Sequence, residues 1–142
     1  MRTGNLQPTR PNWYDRNPTP RYFTSLVENS APHGSVQRYT YTVPANRKCI
    51  IEVSCASWQR LTVAAPSGVA TAAININDGL GSSANIPIIR NNSNTAGFMD
   101  HALLALQAVL IAGHQLSAND LDISTGGLCT YIMDTKLTEY DA

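Results

Sequence analysis

Tyr39-Thr-Tyr-Thr-Val-Pro-Ala-Asn-Arg-Lys-Cys-Ile-Ile-Glu-Val53 is the stretch that decides how this chain folds. Its first part alternates, with Tyr39, Tyr41 and Val43 on one side and Thr40 and Thr42 on the other, the period of a half-buried strand. Pro44-Ala-Asn46 breaks the run as a turn, and Lys48 onward resumes it. There Ile51, Val53 and Cys55 share one face while Ile50, Glu52 and Ser54 share the other. The run Lys48 to Val63 exceeds an average strand, which predicts a bend near Ser57 to Arg60.

Downstream, strand signals recur beside turn signals. Pro66-Ser-Gly68 reads as a turn, Thr71 to Asn77 as an alternating strand with Ile74 and Ile76 on one face, and Asp78-Gly79 as the turn after it. Ala84 to Arg90 is interrupted by Pro87, which places that strand at an edge or a bulge. Asn91 to Gly97 is a polar loop, and Leu128 to Leu137 reads as the closing strand behind Gly126-Gly127. Asp100 to Ala112 fits two periods. Leu103, Leu106, Gln107 and Leu110 form a helical face, whereas strand spacing sets Leu104, Leu106, Ala108 and Leu110 against Leu103, Ala105, Gln107, Val109 and Ile111. Local composition, rich in Ala and Leu, favours the helix. Six or seven short strands with polar turns fit an antiparallel sandwich.

Upstream of residue 39 the composition changes. Five of the eight prolines (Pro8, Pro11, Pro18, Pro20 and Pro32) fall there, and each removes a backbone donor and turns its predecessor away from helix. Trp13, Tyr14, Tyr22, Phe23, Leu26 and Val27 are interleaved with arginines. Each such side chain yields about 1.5–3 kcal/mol on burial, while ordering each residue's backbone costs about 1–2 kcal/mol. The sequence therefore predicts an extended N-terminal arm over residues 1–38 that orders on a partner supplying backbone hydrogen bonds, ahead of a β domain over residues 39–142. An arm folded back on its own domain and a plainly disordered arm are the alternatives. Removal of residues 1–30 is then expected to leave a folded domain.

At 142 residues the chain is long enough for one core without metal or disulfide staples. Its formal charge is zero but unevenly spread: residues 1–38 carry five arginines against two acids, and the remainder five bases against eight acids. The arm's partner is thus expected to be acidic. Five arginines scattered over 38 residues make no dense patch, which argues against nucleic acid. The N-terminus shows no apolar core of a signal peptide, and no apolar run is long enough to span a bilayer. Cys49, Cys55 and Cys129 match no zinc spacing and read as small buried apolar side chains.

Raw material for catalysis is thin. His33, His101 and His114 lack companion motifs, and each reads as a surface or hydrogen-bonding residue. Asp120 and Asp122 lie on one side of an extended segment and could touch calcium, but without further acidic ligands they read as turn caps. No glycine-rich loop precedes a helix. The residues thus predict no enzyme, no cofactor and no metal site.

The segments Tyr41-Thr-Val-Pro-Ala-Asn-Arg-Lys-Cys-Ile-Ile51, Ala73-Ile-Asn-Ile76, Val109-Leu-Ile-Ala-Gly-His-Gln-Leu-Ser117 and Ser124-Thr-Gly-Gly127 together resemble small jelly-roll virion proteins of tailed bacteriophages, over roughly residues 39–139. His114 stands where that late turn usually has Asp. The resemblance implies an all-β antiparallel jelly-roll β-sandwich with residues 100–111 as strand. It implies a capsid decoration or cement protein, a homotrimer on the virion surface, assembled in the host cytoplasm and bound to the major capsid protein or other virion proteins. Trp13, Tyr14, Tyr22 and Phe23 would then be anchors, Arg10, Arg16 and Arg21 would reach carboxylates at the rim, and Leu104, Leu106 and Leu110 would form the trimer interface. The rival expectation is a fibre- or tail-associated module binding a host receptor or glycan. It predicts aromatic residues in the loops at 64–70, 78–85 and 91–97, which contain none.

Overall fold

The computed structural model describes residues 16–62, 69–91, 95–123 and 127–142. Among them the only regular elements are strands: β1 (Thr19–Ser30), β2 (His33–Thr42), β3 (Arg47–Arg60), β4 (Ala70–Asn77), β5 (Ser83–Asn91), β6 (Met99–Leu104), β7 (Ala108–Ile111), β8 (Gln115–Asp122) and β9 (Cys129–Asp141). They form two sheets. One runs β1-β9-β3-β6 with β7 also on β3, and the other runs β2-β8-β4-β5. Every neighbouring pair is antiparallel. With β6 and β7 sharing one place beside β3, this is the eight-place order of a jelly roll, in which the chain passes repeatedly between the two sheets.

The core lies between the sheets. Ile51, Ala56 and Trp58 of β3 and Tyr131, Met133 and Leu137 of β9 face Ile74 of β4 and Leu116 and Ala118 of β8. Polar groups run through it as well: the Tyr39 hydroxyl meets Thr135 Oγ1 at 2.7 Å, which in turn meets Ser54 Oγ at 2.9 Å. Each buried hydroxyl thus has a partner, so its desolvation is offset.

Two of the four segments that carried the family resemblance, Tyr41–Ile51 and Val109–Ser117, touch. Val43 N donates to His114 O at 2.9 Å, and Gly113 N donates to Val43 O at 3.0 Å. Gly113 holds φ at +85°, and Gly79, at φ +75°, lies so close that a Cβ there would stand 3.1 Å from Gly113 O. Glycine at 79 is therefore set by both backbone angle and space.

Three expectations need correction. The seam at residue 38 is not a boundary of the fold, because β1 pairs with β9 from Thr19↔Glu139 to Ser30↔Cys129, and β2 pairs with β8. The backbone hydrogen bonds that the arm was expected to find on a partner come, for residues 19–38, from its own chain. Pro20 is tolerated because β1 is an edge strand, and Phe23 and Val27 alternate inward onto the core. Second, β3 absorbs its length through a register shift between Ile51 and Val53 rather than a bend near Ser57. Third, the local preference for helix over 100–111 gives way to β6 and β7, separated at Gln107, which adopts φ +45°. Partners on β3 outweigh local propensity there. Pro87 does lie on an edge strand, with the register shift opposite it. The turn expected at Pro66-Ser-Gly68 lies outside the described residues.

Candidate interaction surface

Of the expected anchors, Arg10, Trp13 and Tyr14 lie outside the described residues. Arg16 is exposed, and its carbonyl accepts from Asp141 N at 3.0 Å. Arg21 and Phe23 turn toward their own domain. Arg21 Nε donates to Glu139 Oε1 at 3.0 Å, and the Phe23 ring stacks on Tyr39. Phe23 is thereby packed on its own core, while the Arg21 side chain remains 51% exposed. Tyr22 points outward, 69% exposed, with Lys136 Nζ 5.9 Å from its ring centre.

The assignment of Leu104, Leu106 and Leu110 to a trimer interface is corrected in the same way. Leu110 is buried in the core and Leu106 packs against it, while Leu104 is half-buried opposite the buried Ser54. The alternate residues Leu103, Val109 and Ile111 are the exposed ones. The period-two reading separated the two faces correctly; which face met solvent depended on pairing with β3.

The outer face of the five-stranded sheet is consequently apolar over much of its width, carrying Tyr22, Leu26, Ile132, Met99, Leu103, Val109 and Ile111. Register aligns Leu26, Ile132, Ser57 and His101 in one row across four strands, and Thr24, Asp134, Cys55 and Leu103 in the next. Between these rows lies a depression of about 330 Å³ lined by Cys55, Ser57, His101, Leu103, Ile132 and Asp134. Contiguous exposed apolar surface is common at interaction sites.

The outer face of the other sheet is polar. A groove of about 260 Å³ there is lined by Ser35, Thr71, Asn75, Asn85, Asn119 and Leu121.

Four charged residues, Arg60, Asp120, Asp122 and Glu139, are buried. Asp120 and Asp122 point inward instead of capping a turn. Asp120 meets Arg38 Nε at 2.7 Å and His33 Nε2 at 2.8 Å, and Asp122 meets Arg60 Nη1 at 3.1 Å and the Cys129 thiol at 2.9 Å. At the opposite end, buried Glu139 accepts from the Tyr41 hydroxyl at 2.6 Å besides Arg21, and Arg47 Nη2 lies 3.5 Å away. Burial pushes the Glu139 carboxyl up, but the Tyr41 bond and the arginines hold it, on balance, below its ordinary value.

None of this arrangement suits catalysis. His33 commits one ring nitrogen to Asp120 and the other to the Ala31 carbonyl at 2.9 Å. Burial pushes the Cys49 and Cys129 thiols up to about 12, the reverse of an activated nucleophile. Among the described residues no group of three or more His, Cys, Asp or Glu is placed to hold a metal ion. His101 is exposed on β6, and His114 lies in the turn before β8. Sequence reasoning missed β8 and its buried carboxylates, because their partners Arg38, His33 and Arg60 come from distant strands.

No protein-family model matches the chain, and no curated protein matches it. Solved structures with a similar course include infectious bursal disease virus Gt strain, at 11% identity and TM-score 0.48, covering 99% of this chain and 42% of that one. They also include the dimeric latent PorU of Porphyromonas gingivalis, at 13% identity and TM-score 0.46, covering 84% and 13%. Desmodium yellow mottle tymovirus aligns at 9% identity and TM-score 0.39, covering 96% of each. This chain spans less than half the length of the first two.

Proposed function

We propose that this protein is a virion structural component, a capsid decoration or cement protein that binds across neighbouring capsid subunits. The observation that carries the reading is the outer face of the β1-β9-β3-β6 sheet, where Leu26, Met99, Leu103 and Ile132 stand exposed on a jelly roll. Its mechanism is added buried apolar area between subunits, multiplied by avidity where several contacts engage at once. The gripping arm is now confined to the residues before β1, in which Arg10, Trp13, Tyr14 and Arg16 lie; the homotrimer and the major capsid protein remain the proposed partners. The proposed location is the capsid surface, after assembly in the host cytoplasm. Sedimentation of purified particles tests this: the protein should travel with them, and removal of residues 1–15 should release it while leaving the sandwich folded. Full-length protein that stays at the top of the gradient would refute the reading.

A second reading rests on the amide-lined groove of Asn75, Asn85 and Asn119, whose donors and acceptors suit a sugar's hydroxyls. A fibre- or tail-associated module binding a host glycan would use that face. Saturable binding on a glycan array, lost in Asn119→Leu, would favour it over the first.

A further inference from the structure

Each sheet of the sandwich has two edges, and three of the four are blunted. β5 carries Pro87, with a register shift opposite it. β2 is interrupted by two register shifts, between His33 and Val36 and between Gln37 and Tyr39. Beside β3 the edge is made of β6 and β7, six and four residues long and parted at Gln107, whose φ is +45°. Prolines, bulges and short strands are the devices that keep a sheet edge from taking another strand. β1 has none of them over its middle. It pairs with β9 without a break from Thr19↔Glu139 to Val27↔Tyr131, and among the described residues no strand pairs with its other side.

The pairing-competent part of that edge has sharp limits. Pro20 offers no donor, and after Val27 the register shifts across Glu28 and Asn29, where Asn29 takes φ +51°. Between these limits lie Arg21 to Val27, centred on Thr24. We propose that β1 pairs antiparallel with β1 of a second copy about a two-fold axis at Thr24, joining two five-stranded sheets into one. An isologous contact must be self-complementary, and this one is. The axis sets Thr24 opposite Thr24 and, twice over, Tyr22 opposite Leu26 of the second copy. Tyr22 is 69% and Leu26 56% exposed, both on the outer face, so each aromatic–aliphatic pair covers surface left open in the single copy. An axis at Phe23 would bring Pro20 into the ladder, and one at Ser25 would bring in Glu28 where the register shifts. The join also extends the outer row of Leu26, Ile132, Ser57 and His101 into Tyr22 of the second copy. This contact goes beyond the proposed function and does not rest on it; together with a trimer contact elsewhere it joins trimers in pairs.

Sedimentation equilibrium of the full-length chain should give an associated species whose mass is an even multiple of the chain's. Leu26→Lys, at an exposed site, should raise the dissociation constant about tenfold or more, since symmetry counts the change twice, with the circular dichroism unchanged. Met99→Lys, on the same face and 62% exposed but on β6, should leave the constant as it is, which separates pairing through the β1 edge from stacking of whole apolar faces. Oxidation reads the register: at the axis the two Cα atoms of residue 24 stand about 4.5–5.5 Å apart, within disulfide reach. Thr24→Cys in a Cys55→Ser background should therefore form an intermolecular disulfide joining the two copies of that position, identified by peptide mass spectrometry. A chain monomeric at every concentration, an odd-numbered assembly, equal losses in Leu26→Lys and Met99→Lys, or no such disulfide would overturn the proposal.

Discussion

Phe23 and Tyr39 stack with ring centroids 5.6 Å apart and planes 19° from parallel, joining the first strands of the two sheets. Tyr41 closes on the same phenylalanine at 5.4 Å. Both tyrosine hydroxyls end on β9, at Thr135 and Glu139, so β1, β2 and β9 are tied through one aromatic group. Phe23→Ala should therefore cost about 2 kcal/mol or more in urea unfolding, less than a fully buried Phe because Phe23 keeps some exposure. Removal of residues 1–15 should leave the unfolding midpoint nearly unchanged. Removal of residues 1–30 should abolish cooperative unfolding, since it strips β9 of one partner along its length.

Arg60 and Asp122 are both buried in the sandwich and bonded at 3.1 Å, with the guanidinium 4.8 Å from the Trp58 ring centre. Arg60→Met alone should cost about 3–5 kcal/mol by leaving a buried carboxylate uncompensated. Arg60→Met/Asp122→Leu should recover much of that loss. A double-mutant cycle by chemical denaturation measures the difference.

Glu139 carries a pH dependence whose sign follows from its surroundings. Its folded pKa lies below the ordinary 4.5, so the stability it contributes is fully present above that value and is lost as pH falls through the folded one. Glu52, held down by Lys136 and Thr138, acts in the same sense. Thermal midpoints should be flat from about pH 5 to about pH 8, fall below about pH 4, and fall again above about pH 9, where the thiols of Cys49 and Cys129 ionise only on unfolding. Glu139→Gln should be less stable at neutral pH and show a shallower acid limb.

The three cysteines are free, with Cys49 and Cys129 buried and Cys55 partly exposed. Burial raises all three thiols, Cys49 and Cys129 to about 12. Iodoacetamide at pH 8 should therefore label Cys55 slowly in the folded protein and the other two only on unfolding, which peptide mass spectrometry resolves. Rapid labelling of Cys129 would contradict the closed interior around Asp122.

Much of this fold is legible in local pattern, and the exceptions share a cause. Tyr39 to Thr42 and Ile74 to Ile76 alternate because one side meets a core and the other does not, whereas the expected face of Ile51, Val53 and Cys55 is split by the register shift after Ile51, which turns Ser54 inward and Cys55 outward. In β8 the same inward row is Leu116, Ala118, Asp120 and Asp122, and its last two members look like surface until His33, Arg38 and Arg60 arrive from other strands. β1 was concealed by prolines and arginines, yet Pro20 needs no donor at an edge and Arg21 has a buried acid waiting in Glu139. For Leu103 to Ile111 the alternation was visible, while the identity of its solvent side was set by register with Cys49 to Cys55. The Asp134 depression had no sequence signal, because its walls come from β3, β6 and β9.

Cryo-electron microscopy of particles purified from the organism that encodes this chain tests the central claim most directly. The account predicts density for a two-sheet sandwich repeated on the capsid surface, with the outer face of the β1-β9-β3-β6 sheet against a neighbouring subunit. Particles whose maps hold no such sandwich, with the protein recovered only from the soluble cell fraction, would contradict it.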